Sequence, residues 1–160
     1  MLANNETGVI QPVREAAEIV RAADGWLHVD AIQAAGKIIT DSRALGADTL
    51  VVSAHKLGGP QGVGALTFGP RATMVRRQHG GGQARGRRAG TENVAGIAGF
   101  GAAAMASLRD KEIQAGWRDA AAQRLKAQGA VVIGESVVRL PNTLCIAAAG
   151  YGAELQVMAL

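Results

Sequence analysis

Cysteine is nearly absent from this 160-residue chain. Cys145 stands alone, so no intramolecular disulfide can form, and no cysteine and histidine cluster has zinc-site spacing. Aromatic residues make up only 3%, which leaves aliphatic side chains and alanine to build any core. No uninterrupted apolar run reaches the roughly 18 residues of a membrane-crossing helix, and no basic start leads into a short apolar stretch with a cleavage site. Transmembrane and secreted readings fall away, and a cytoplasmic protein that touches no membrane is expected. Acids are missing from residues 71–88, which hold Arg71, Arg76, Arg77, Arg85, Arg87 and Arg88 within a formal net charge of +4. Such a patch attracts anions.

Glycine is what the chain has in excess, 22 of 160 residues against a usual share of about 7%. Most of it falls between Gly58 and Gly99, so the middle of the chain is shaped by its backbone. With 48% apolar and 19% charged residues the composition is that of a globular domain, or part of one, and not of a disordered tail.

Apolar residues at Val13, Ala16, Ala17 and Val20, after Pro12 and before Asp24-Gly25, predict a helix over 13–23. Trp26 to Asp30 and Thr49 to Ser53 read as buried parallel strands, each ending in a polar residue. The residues between them, with a short helix predicted at Asp41 to Ala47, have the length of a right-handed crossover. Gly62 to Phe68 follows too soon for a crossover and is expected to pair antiparallel or at the sheet edge. Asn93 to Leu108 and Lys111 to Gln128 predict two alanine-rich helices. The first is apolar nearly all round, the pattern of a buried helix. Ala130 to Ile133 and Thr143 to Ala147 predict two more strands, and Glu154 to Leu160 the start of a helix. The fold class is therefore α/β. Met1-Leu2-Ala3 reads as the end of a strand and Leu160 as mid-helix, so the chain is expected to be a piece of a longer protein.

In an open α/β sheet ligands bind beyond the carboxyl ends of the strands. Three such ends carry Asn4-Asn5, His28 to Gln33, and Ser53-Ala54-His55-Lys56. Taken singly these residues read as a helix cap, a loop histidine and a surface lysine. Together they suit pyridoxal phosphate. A lysine that forms a Schiff base needs an environment that lets its ammonium lose a proton, and neighbouring cations help. The cofactor's pyridine nitrogen needs a carboxylate, for which Asp30 is placed. Its phosphate needs hydroxyl, backbone N–H and cationic donors, which Ser53, His55 and the Gly58-Gly59 turn offer.

The runs Ala3-Asn4-Asn5-Glu6-Thr7-Gly8, His28 to Lys37, Ser53-Ala54-His55-Lys56 and His79 to Asn93 closely resemble the cysteine desulfurases of the NifS/IscS type, which are fold-type I, class V aminotransferase-like enzymes. A weaker likeness continues through Leu140-Pro141-Asn142-Thr143-Leu144. The resemblance implies a three-layer α-β-α architecture with a mostly parallel mixed sheet. Residues 1–110 would form the central part of the cofactor-binding large domain and residues 111–160 the start of a small domain. It implies Lys56 as the cofactor-bearing lysine and proton carrier, Asp30 at the pyridine nitrogen, and Gln33 at the ring's 3-hydroxyl. Asn5 would face the ring and substrate carboxylate, and Ser53 and His55 would hold the phosphate. Thr91 would reach the cofactor of a neighbouring subunit, hence a homodimer with shared sites. The implied reaction takes sulfur from L-cysteine, leaving alanine and a persulfide that passes to a sulfur-acceptor or scaffold protein for iron–sulfur cluster assembly.

The sulfur-accepting loop of that family would lie beyond Leu160, and Cys145, in strand-like surroundings, is expected to be a small apolar residue and not the acceptor. The chain alone is expected to be inactive, and its open sheet edges to favour aggregation. Competing expectations are a selenocysteine lyase, a sulfinate desulfinase or a class V aminotransferase, and a catalytically silent remnant. A nucleic-acid binder using the arginines is disfavoured, because residues 71–93 hold no aromatic side chain for base stacking.

Overall fold

The computed structural model describes residues 1–107 and 111–159. Helix α1 spans Val13–Ala22, with Val13 and Ala17 buried while Arg14, Glu15 and Glu18 face water. It ends where Asp24 turns left-handed at φ 53° and the Gly25 amide reaches back to the Val20 carbonyl at 2.8 Å. Strand β1 is shorter than predicted, His28–Asp30. Its predicted start at Trp26-Leu27 is diverted because the Leu27 amide donates to the buried Asp48 carboxylate at 2.9 Å instead of to a strand partner. Asp48 also lies 3.8 Å from the Arg71 guanidinium, so one carboxylate ties down the entry to β1 and the segment after the sheet.

Strand β2, Thr49–Ser53, runs parallel to β1, and β3, Gly64–Phe68, pairs antiparallel along the other side of β2 at the sheet edge. The register sets His28 opposite Thr49 and Val29 opposite Leu50. Because side chains alternate along a strand, Val29 and Leu50 enter the core with Leu2, Ala31, Val13 and Leu140. His28, Asp30, Thr49 and Ser53 take the opposite face, where the His28 ring sits 2.7 Å from the Thr49 hydroxyl. Full burial of Val29 and of Leu140 is each worth about 2 kcal/mol.

The crossover between β1 and β2 contains no regular helix. The Asp41 carboxylate caps the amides of Arg43 and Ala44, and Leu45 bonds back to the Asp41 carbonyl, as a helix start would. Gly46 then turns left-handed at φ 68°, which ends the predicted helix over 41–47 after a single turn. Upstream, the Ala31 carbonyl accepts from the amides of Ala34 and Ala35 in a tight turn of buried alanines, and Gly36 at φ 75° closes it.

Helix α2 covers Val94–Ala106, capped by the Asn93 side chain on the Gly96 amide at 3.0 Å. Its predicted last residue, Leu108, lies outside the described residues. The expectation of burial is overturned: Val94 and Met105 are each 72% exposed and Gly96 is the buried residue of the helix. The side holding Gly96 and Gly99 packs against Val63 and Pro60. Helix α3 is Lys111–Lys126, β4 (Val131–Val132) pairs antiparallel with β5 (Ile146–Ala147), and α4 is Ala153–Ala159. Leu160 lies outside the described residues. Cys145 precedes β5 half-buried, its carbonyl accepting from the Ile133 amide at 2.9 Å.

Residues 2–11 strap the two sheets together. The Leu2 amide donates to the Asp30 carbonyl at 2.7 Å, the Ile10 amide to Val138 at 3.0 Å, and the Leu140 amide to Gly8 at 2.8 Å. No described helix is long and apolar enough to cross a membrane.

Candidate functional site

The carboxyl ends of β1 and β2 lie side by side, and most of the sequence-predicted site residues follow from them. Asp30 ends β1 exposed, its carboxylate accepting from the Ile32 amide at 2.9 Å, which fixes the side chain at the mouth of the first crossover turn. Gln33 sits half-buried in that turn. Ser53 ends β2, and the chain goes directly into a single 3₁₀ turn, Ala54–Leu57, which puts His55 and Lys56 outside. The Ser53 hydroxyl and His55 Nδ1 are 2.7 Å apart, one polar pair beside an exposed lysine.

The Gly58-Gly59 turn contributes less than expected. Gly58 is left-handed at φ 83°, and the amides of Gly58 and Gly59 are both spent on the Ala54 carbonyl. They have no N–H left for a phosphate. The side-chain donors at that end of the strand are the mutually bonded Ser53–His55 pair and the exposed Lys56.

Asn5 is exposed in the turn that follows the strap's pairing with Asp30. Its neighbour Asn4 builds that turn, its side-chain oxygen accepting from the amides of Glu6 at 2.9 Å and Thr7 at 2.8 Å. Thr91 is exposed on the segment leading into α2, and α2 packs on the Ala54–Leu57 turn. Among the described residues no hydrogen bond or ion pair joins Thr91 or Asn5 to the Lys56 group, and none joins Asp30 to Lys56.

Lys56 borders a cavity of about 370 Å³ with Gly36, Leu57, Ser107, Gln114 and Asn142. Lys37 borders it too, a neighbour that spacing alone did not mark as functional. Its ammonium donates to the Gln33 side-chain oxygen at 3.0 Å. Burial, and then the charge of Lys56, push the Lys37 amine below its ordinary 10.5. Larger clefts lie elsewhere, about 670 Å³ beside Arg71 and about 490 Å³ along α3, away from the strand ends.

The arginine tract is partly occupied by its own loop. Arg76 donates to the carbonyls of Gln78, Gly80 and Gly81, and Arg87 stacks over Phe68 at 5.6 Å. Ala84 and Arg85 both hold left-handed backbone, at φ 50° and 57°, a conformation that costs non-glycine residues energy.

The two parallel strands of this α/β sheet thus end in an acid, a hydroxyl–imidazole pair and a lysine. The aminotransferase class-V family description matches residues 1–159, and the chain belongs to that family. It is 43% identical over 160 residues to a cysteine desulfurase of Sinorhizobium fredii (strain NBRC 101917 / NGR234), covering 96% of this chain and 41% of that one. It is 50% identical over 106 residues to cysteine desulfurase IscS of Anaeromyxobacter sp. (strain Fw109-5), covering 65% of this chain and 26% of that one. A solved NifS-like protein from Rickettsia africae ESF-5 superposes with a TM-score of 0.88 at 32% identity over 98% of this chain and 45% of that one. The chain thus spans about two fifths of the length of the first of these relatives.

Proposed function

We propose that this chain is the cofactor-bearing part of a pyridoxal-phosphate-dependent cysteine desulfurase, with L-cysteine as substrate. The observation that carries the reading is the convergence of Asp30, Ser53, His55 and Lys56 at two adjacent parallel strand ends. The donor set suits the cofactor. Lys56 supplies the amine that attaches its aldehyde and that carries the substrate's α-proton. Asp30 holds the proton on the pyridine nitrogen, Gln33 meets the ring's 3-hydroxyl, and Ser53 with His55 takes the phosphate. Asn5 faces the ring and substrate carboxylate, and Thr91 reaches the phosphate in a partner subunit of a homodimer. When bound, pyridoxal phosphate supplies an electron sink for the carbanion left by proton removal. In that reaction the substrate's Cβ–Sγ bond would break as its sulfur joins the thiol of an acceptor cysteine, leaving alanine and a persulfide whose outer sulfur would pass to a scaffold protein. In this reading residues 1–110 belong to the large domain and residues 111–160 begin the small one, and the protein works in the cytoplasm.

The test is addition of pyridoxal phosphate, borohydride reduction and peptide mapping. A visible Schiff-base band, label on Lys56 and loss of both in Lys56→Ala are expected. Because Lys37 borders the same cavity, label that moves to Lys37 in that variant still places the cofactor there. Label spread evenly over Lys111 and Lys126 as well, unchanged in Lys56→Ala, overturns the reading.

A further inference from the structure

Gln33 and Lys37 are four residues apart in a turn that is not a helix, yet the Lys37 ammonium reaches the Gln33 side-chain oxygen at 3.0 Å. An ammonium has three donors and no acceptor, so it can face only the oxygen end of the amide. The amide's NH₂ end is thereby turned away from Lys37. A glutamine left to itself can present either end to a ligand, and the two ends have opposite hydrogen-bonding character. Away from Lys37, this one presents its NH₂ end.

The scaffold around the pair keeps it in place. Ala34 and Ala35 are buried, and a Cβ at Gly36 would collide with Leu57 and Ser107, so the turn carrying Gln33 and Lys37 is wedged against the 3₁₀ turn that carries Lys56. The Lys37 side chain is half-buried in the cavity that Lys56 also borders. Holding a second cation there opposes both desolvation and the Lys56 charge, a cost that a solvated lysine would avoid.

We propose that Lys37 is a positioning residue that locks Gln33 as a hydrogen-bond donor, so that the site selects a ring bearing an anionic oxygen next to its aldehyde carbon over one without it. The inference rests on the cofactor reading above. It adds a specificity device that acts through Gln33 and makes no contact with the ligand itself.

Equilibrium dialysis with two probes tests it: pyridoxal 5′-phosphate, and its 3-deoxy analogue, which lacks the ring hydroxyl. The unaltered chain should prefer the first. Gln33→Leu removes the bond to the ring oxygen and should weaken pyridoxal phosphate by about tenfold, the worth of one charge-assisted hydrogen bond, while leaving the analogue unchanged. Lys37→Met should lose a smaller part of the same preference, because the freed amide can still turn its NH₂ end to the ligand, and the double variant should be no worse than Gln33→Leu alone, the non-additivity expected of residues acting as a unit. Lys37→Arg, which remains a donor without acceptors, should restore most of the preference. Equal weakening of both probes in Lys37→Met, or full additivity in the double variant, overturns the positioning role while the cofactor reading stands. Failure of the unaltered chain to bind either probe overturns both.

Discussion

Lys37 brings a positive charge into a half-buried place that Lys56 already faces, and the cost shows in the direction of its titration. Its amine ionises below 10.5 in the folded chain, through burial first and the Lys56 charge second. Between that lowered value and 10.5 the unfolded chain holds the extra proton, so stability rises with pH across this window. Replacing Lys37 by Met removes the difference. Denaturant midpoints measured from pH 8 to pH 10.5 should climb less steeply in Lys37→Met than in the parent, and parallel curves would refute the assignment. At this scale the sequence was most legible in placement: that Asp30 and Ser53 end strands, with His55 and Lys56 on the turn beyond, could be read from the polar tips of the apolar runs. The Gln33–Lys37 bond could not be. It depends on the left-handed Gly36 and on a wedge of Leu57 and Ser107, which no spacing rule encodes.

Strand β2 shows what one element can do with two faces. Leu50 is 4% exposed and packs with Val29 on the core side, whereas Thr49, Val51 and Ser53 are half-exposed on the other. Leu50→Ala should cost about 3 kcal/mol by thermal or chemical melting. Val51→Ala, one step along, should cost under about 1 kcal/mol. Equal costs would mean the register is wrong. The bounds of β2 and the antiparallel edge position of β3 could be read from residue order, since the few residues between them leave room only for reversal. The helix over 41–47 was misread because its capping signals are real, and Gly46 cuts it off before a second turn can form. The expected burial of α2 failed for a different reason: an apolar sequence states what a helix would bury, and packing supplies a partner for only one side of it.

Across the whole molecule, apolar surface remains uncovered. Val94, Ile97 and Met105 on α2, and Ile113 and Trp117 on α3, are all more than half exposed. Patches of that kind mark sites of association. Sedimentation at micromolar concentrations should therefore show species heavier than 16.4 kDa, and Ile97→Gln with Met105→Gln should shift the distribution toward the monomer. A single 16.4 kDa boundary at every concentration would contradict this. In the arginine tract Arg76 is spent on the carbonyls of its own loop, whereas Arg77, Arg85, Arg87 and Arg88 stay exposed. The strap of residues 2–11 touches β1 through Leu2 and the later half of the chain through Ile10 and Gly8. It works as a drawstring: while it is tied, the two sheets must loosen in one concerted event, and once it slips each can breathe on its own clock.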